Sequence, residues 1–380
     1  MDIKLNEDQM EMRRQARRFF EKECPMDYVR EMFEDPRGFT DEIWSKMVEM
    51  GWTAMLLPEA YEGLGMNFMD LCVVFKEMGR ALIPGPLFST VLLAGETIKT
   101  AGNDAQKQKY LSGIATGKLR GTLALSEPES GADPDYVKMA ANSTQDGFVL
   151  NGTKVFVFDG QTADFLIVVA KTSQGGDTFG DISLFLVDPK SAGISITPLK
   201  TMDGTRKQCV IEFRNVGVPQ EGLLGDRDRG WSYLSKVLSR AQVGLAAENV
   251  GGGEKCMELA SQYAKERIQF GQPIGAFQAV KHPCAQMFVE VESSRSLLYW
   301  AAWNQDYGNN KDAKLSASAA KVYCSENFKN IACATLQILG GIGFTWEHDL
   351  HFYLKRAKAN EMAFGDSLYN REEIIRTLEG

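Results

Sequence analysis

The chain has 380 residues, 44% of them hydrophobic, and its 42 Lys and Arg against 50 Asp and Glu give a formal net charge of -8. That is enough apolar chain to bury a large core in two or three packed regions, and interspersed charge of this sign gives no basic surface for nucleic acid. The seven Cys are far apart and form no CxxC pair, which excludes a disulfide frame or zinc ribbon and points to reduced thiols in a cytoplasmic protein.

The first twenty residues, MDIKLNEDQMEMRRQARRFF, are charged throughout and lack the apolar core of a signal peptide. No stretch reaches the ~18 apolar residues of a spanning helix. Up to about Lys118, segments such as EDQMEMRRQARRFFEKE and MDLCVVFKEMGRAL repeat apolar residues every three or four positions, the helical period. From Gly121 the pattern shifts to short β-branched and aromatic runs: GFVLNGTKVFVFDG, DFLIVVAKT, ISLFLVD and QCVIEFRNV. These are expected strands, with Asn-Gly and Asp-Gly as tight turns. After Trp231 the helical period returns in three long runs suited to a bundle. The expected fold is therefore α+β: an N-terminal helical domain (1–118), a middle β domain (119–230) and a C-terminal four-helix bundle (231–380). His348 and His351 would share a helix face, where two His with no third ligand nearby cap or pack rather than bind metal.

Four motifs narrow the reading. LPEAYEGLGMNFMDL stands near the start, LALSEPESGADPD precedes GFVLNGTKVFVFDG, ERIQFGQPIGAFQAVKH opens the second bundle helix, and QILGGIGFTWEHDLHFYLKRAK closes the third. In this order and at this spacing, over nearly the whole chain, the set resembles the acyl-CoA dehydrogenase family. The resemblance implies an FAD-dependent oxidoreductase acting on a coenzyme A thioester. It implies flavin contacts from Leu125 and Ser126, pyrophosphate contacts from Gly131 and Ala132, and an aromatic wall at Phe156. Phe158 stands where the family has a small hydroxyl residue, a departure that alters the flavin's surroundings. By the same resemblance Arg267, Phe270, Gln337, Gly340 and Gly341 reach the adenosine diphosphate half of a flavin held by a neighbouring subunit, so an oligomer is expected, a homodimer or homotetramer or a hetero-tetramer with a related subunit. Thr90, Arg240 and Val243 are expected to shape the acyl-CoA pocket.

The reaction that the resemblance implies is α,β-dehydrogenation, in which a carboxylate removes the α-proton and the flavin takes the β-hydrogen. Most members carry that carboxylate just before a Gly after the basic helix; the matching residue is Phe364, before Gly365. Others carry it before an Arg at the start of the bundle, where this chain has Ser239 before Arg240. Neither residue is a base. Asp366 is the nearest acid to the first position, and Glu248, turned away by its nine-residue offset, is the weaker substitute for the second. The alternative is a chain that forms the non-catalytic part of a hetero-oligomer, as in the steroid side-chain members that the WEHD segment resembles; a flavin oxidase or monooxygenase on the same scaffold is another. The expected substrate is a cyclic or branched acyl-CoA, with electrons passed to an electron-transfer flavoprotein.

Overall fold

The computed structural model describes residues 4–129, 136–172 and 180–379. Helices α1 (Glu7–Glu23), α2 (Met26–Glu34), α3 (Asp41–Glu49), α4 (Phe68–Arg80), α5 (Glu96–Ala101) and α6 (Asp104–Ala115) come first. Strands β1 (Gly121–Ala124), β2 (Ala140–Ser143), β3 (Gly147–Phe158), β4 (Phe165–Lys171), β5 (Ile182–Val187), β6 (Ile194–Pro198), β7 (Gln208–Pro219) and β8 (Leu223–Leu224) follow. Helices α7 (Gly230–Glu266), α8 (Gln278–Tyr307), α9 (Asn310–Leu339), α10 (Leu350–Met362) and α11 (Ser367–Glu379) end the chain, with a two-stranded ribbon of β9 (Ile268–Gln269) and β10 (Gln272–Pro273) after α7. The backbone packs as two units that do not follow chain order: one holds Met1–Arg30, Phe68–Ile83 and Gln242–Gly380, the other Glu31–Asn67 and Pro84–Ala241.

The first unit is helical. Asn6 and Gln9 open α1 with a reciprocal capping box, satisfying two N-terminal donors that the helix cannot. α4 and α7 approach until backbone meets backbone: a Cβ on Gly79 would lie 2.1 Å from the Glu248 carbonyl, and one on Gly251 1.8 Å from the Lys76 carbonyl. Around this crossing Arg17 donates twice to Glu77 (2.8 and 3.0 Å), Arg80 donates to Glu258 and Lys76 pairs with Glu254. Lys76 and Glu77 are buried charges that need such partners on neighbouring helices, while Arg17 and Glu258 reach in from partly exposed positions.

The second unit is built on an eight-stranded sheet in the order β6-β7-β3-β2-β4-β5-β8, with β1 parallel to β4. Its core gathers Leu150, Leu166, Val168, Phe185, Ile211 and Phe213. One turn expected from the sequence is absent. Asn151-Gly152 lies inside β3, at a register shift opposite β7, because β3 pairs along its length with β7 and along its first half with β2, and a hairpin there would forfeit both ladders. The turn into β3 falls instead at 144–147, where the Thr144 amide donates to the Gly147 carbonyl. Asp159-Gly160 does end the strand, with Asp159 left-handed at φ 52.

Candidate active site

In the sheet unit, the chain leaving β1 is fastened to β3 by a buried ion pair. Lys154 Nζ donates to Glu127 Oε1 (2.7 Å) and to the Leu125 carbonyl (3.0 Å), while Val155 N donates to the Ser126 carbonyl (2.8 Å). Glu127 also accepts from the Lys138 and Met139 amides. Burial pulls the Lys154 amine down to about 8, with Glu127 opposing it. The pair holds Leu125 and Ser126 in place, and the Ser126 hydroxyl makes no hydrogen bond among the described residues. Lys154→Met is expected to cost roughly 3–5 kcal/mol, since it strands a buried carboxylate; urea unfolding of the variant checks this. Gly131 and Ala132 lie outside the described residues.

Farther along β3, Phe156 adopts φ 54 and leaves 59% of its surface exposed. A bulky side chain in the left-handed region is uncommon enough to call for an explanation. Phe158 is buried instead, edge-on to Phe88 (6.1 Å), with the Arg206 guanidinium over both rings at 4.8 and 5.3 Å. The cation–π contact and the buried ring stabilise each other. Ser89 donates to Asp159 (2.6 Å), and the neighbouring Thr90 is fully buried with a hydroxyl that has no partner among the described residues. Arg240 pairs with Glu96 (3.0 Å), and Ser239 donates back to the Ser235 carbonyl (2.9 Å), so its proton goes to the backbone and not to a base.

In the helical unit, the turn between α10 and α11 carries Phe364 at φ 56 and Gly365 at φ 90. Three buried side chains hold it. Gln242 donates to the Phe364 carbonyl (3.0 Å) and to Asn370 Oδ1 (2.9 Å), Asn370 to the Gly365 carbonyl (2.9 Å), and Lys321 to the Glu361 and Gly365 carbonyls (2.9 and 3.1 Å). Asp366 Oδ1 accepts from the Tyr369 amide (2.8 Å), capping α11. Glu248 is buried and paired with the equally buried Arg356 at 3.4 Å. Val243 is fully buried. Sequence reasoning passed over Arg206, Lys321, Gln242 and Asn370.

The same unit exposes a separate group. Arg267 makes no side-chain ion pair or hydrogen bond among the described residues, nor does Gln337. Phe270, on the tip between β9 and β10, is 92% exposed at φ 53. Gly340 and Gly341 face open space, with nothing within 4 Å of a Cβ at either. Gly340 needs its freedom for φ 62, but Gly341 has no positive φ and no neighbour among the described residues to account for it. Bare backbone there suits the close approach of something outside the chain. His348 accepts from the Leu350 amide and His351 stacks on Trp346.

Family models for the acyl-CoA dehydrogenase N-terminal, middle and C-terminal domains match residues 6–118, 122–216 and 228–379. The chain belongs to the acyl-CoA dehydrogenase family. It is 35% identical to the mitochondrial isovaleryl-CoA dehydrogenase of Solanum tuberosum over 88% of this chain and 82% of that one. It is 33% identical to the caffeyl-CoA reductase-Etf complex subunit CarC of Acetobacterium woodii, over 90% and 91%. Among solved structures, a glutaryl-coenzyme A dehydrogenase with glutaryl-CoA superposes with a TM-score of 0.93 at 28% identity, covering 100% of this chain and 97% of that one. As an acyl-CoA dehydrogenase the chain is an oxidoreductase with FAD as cofactor. The residues present fit such a group: in the sheet unit an exposed aromatic ring on a left-handed backbone and a Ser126 hydroxyl with no partner among the described residues, and in the helical unit an exposed Arg267 and an unfilled Gly341.

Proposed function

We propose that this chain holds FAD and an acyl-CoA for α,β-dehydrogenation of the acyl group, and that a second, related polypeptide supplies the proton-abstracting carboxylate. The observation that carries the proposal is the state of the two acids nearest the usual base positions: Asp366 caps α11 and Glu248 is buried against Arg356. Both carboxylates are already engaged, Asp366 at a helix N-terminus and Glu248 in the helix interior with Arg356. By the family resemblance, the residue at the usual base position is Phe364.

When bound, FAD supplies the two-electron acceptor for the β-hydrogen. Leu125, Ser126 and Phe156 would hold its ring portion, with Gly131 and Ala132 at the pyrophosphate; Phe158, expected there by the resemblance, is instead packed against Phe88 beneath Arg206. Arg267, Phe270, Gln337, Gly340 and Gly341 hold the adenosine diphosphate half of a flavin seated in a neighbouring subunit, which makes the working protein an oligomer. Thr90 and Arg240, in the sheet unit, would shape the acyl pocket, and a bulky cyclic or branched acyl group is proposed from the family resemblance of the PGPLFST and WEHD segments. An electron-transfer flavoprotein as acceptor is supported by the relative named as subunit of a reductase-Etf complex.

The test is to express the chain alone and titrate it without oxygen with straight, branched and cyclic acyl-CoAs. The expected result is a yellow protein that binds thioester without bleaching, and that bleaches once a related subunit bearing the family's Glu is added. Bleaching of the chain alone would favour a second reading, with Asp366 as a relocated base; it rests on the observation that one carboxylate oxygen of Asp366 serves the cap. Asp366→Asn then decides, because Asn caps a helix as well as Asp does but takes no proton.

A further inference from the structure

The turn that carries Phe364 is held from beneath by an amine. Lys321 sits mid-way along α9, 1% exposed, and reaches two carbonyls at the end of α10 and in the turn: Glu361 at 2.9 Å and Gly365 at 3.1 Å. The last carbonyls of a helix have no partner of their own, and a cation at that end is further favoured by the helix dipole. Gln242 and Asn370 bind the neighbouring carbonyls from α7 and α11. Three elements thus converge on one turn whose residue 364 is left-handed and not glycine, a conformation that costs of order 1–3 kcal/mol unless its surroundings enforce it.

We propose that Lys321 is a positioning residue, whose two hydrogen bonds fix the turn so that the side chain at 364 is presented in one orientation. The inference concerns the mount and not the group mounted, so it holds whichever subunit supplies the base.

Charge is not what the clamp requires. Burial pulls the Lys321 amine down to about 8, with Glu361 and Asp366 opposing it. Glu361 itself pairs with Lys329 and Lys358. An ammonium has three donors and a neutral amine two; two carbonyls are present, so the clamp survives loss of the proton. Removing the nitrogen removes both bonds.

The experiment installs 4-fluorophenylalanine at position 364 of the full chain, records its fluorine NMR spectrum, and measures backbone hydrogen exchange in wild type and in Lys321→Met. In wild type one fluorine line is expected, unchanged between pH 7 and pH 9. In Lys321→Met the line should split or broaden, and exchange of the amides from 363 to 370 should rise at least ~10-fold, while those in the middle of α8 and α9 stay within about twofold. Lys321→Gln, shorter and uncharged, should behave the same way. A single unshifted line in both variants, or exchange that rises uniformly through the helical unit, overturns the proposal. Failure of both variants to fold also overturns it, assigning the amine to global stability.

Discussion

Phe364→Glu is expected to turn the isolated chain into a self-sufficient dehydrogenase, raising the anaerobic rate of acyl-CoA-driven flavin bleaching by about 10²–10⁴-fold, the usual worth of a positioned general base. The mount for it is already built. Residue 364 is left-handed at φ 56, and buried donors from Gln242, Lys321 and Asn370 hold the carbonyls of 361, 364 and 365. Those bonds involve the backbone, so the substitution leaves them intact. Glutamate is also smaller than phenylalanine, and the half-buried setting would raise its proton affinity toward the working range of a base. Addition of Asp366→Asn should leave the gained rate unchanged. A Phe364→Glu chain that binds thioester and bleaches no faster than wild type would show that this turn does not present its side chain to the substrate, and would remove the reason for seeking the base on a partner.

The parts of this arrangement that could be read from the sequence are those with a local signature. The repeat of apolar residues at helical spacing marks EDQMEMRRQARRFFEKE, and α1 covers that same segment. Alternation and β-branching mark the strands, but the Asn-Gly inside GFVLNGTKVFVF predicts a turn because a dipeptide signal carries no information about partners. Pairing with β7 along the whole strand overrode it. The aromatic at 156 is visible, whereas the edge-on packing of Phe158 against Phe88 beneath Arg206 joins residues 88, 158 and 206, and nothing near any one of them announces the other two. Lys321 is the clearest omission. Within KLSASAAKVYCSENF a lysine reads as a solvated helix charge, and only the fold reveals that its amine ends among main-chain oxygens. Local pattern thus marks where chain is helical or extended, and buried polar convergence has to be seen in three dimensions.

Gly251→Ala is expected to be among the most damaging single substitutions in the helical unit, although helix propensity argues the other way. Glycine inside a helix is less favourable than alanine by about 1 kcal/mol, so an exposed site would gain from the change. Here the added methyl would lie 1.8 Å from the Lys76 carbonyl oxygen and 2.8 Å from the Arg80 amide. Both obstacles are backbone, which cannot rotate aside; α4 would have to move away from α7 by more than 1 Å. That shift would pull Lys76 from Glu254 and Arg80 from Glu258, both pairs running between the same two helices. Overpacking alone costs roughly 1–3 kcal/mol and loosening buried ion pairs adds to it, so the net loss should reach about 3 kcal/mol or more. Gly253→Ala, two residues along the same helix, is the control. Its methyl would meet the tip of Ile331 at 3.3 Å and nothing closer, and a flexible side chain can yield by a few tenths of an ångström, so propensity should win there and stability should hold or rise by up to ~1 kcal/mol. Denaturant melts of the two variants side by side check the argument: comparable stabilities would mean that α4 and α7 are not in backbone contact at Gly251, whereas a loss confined to position 251 would place the closest helix crossing of the unit there.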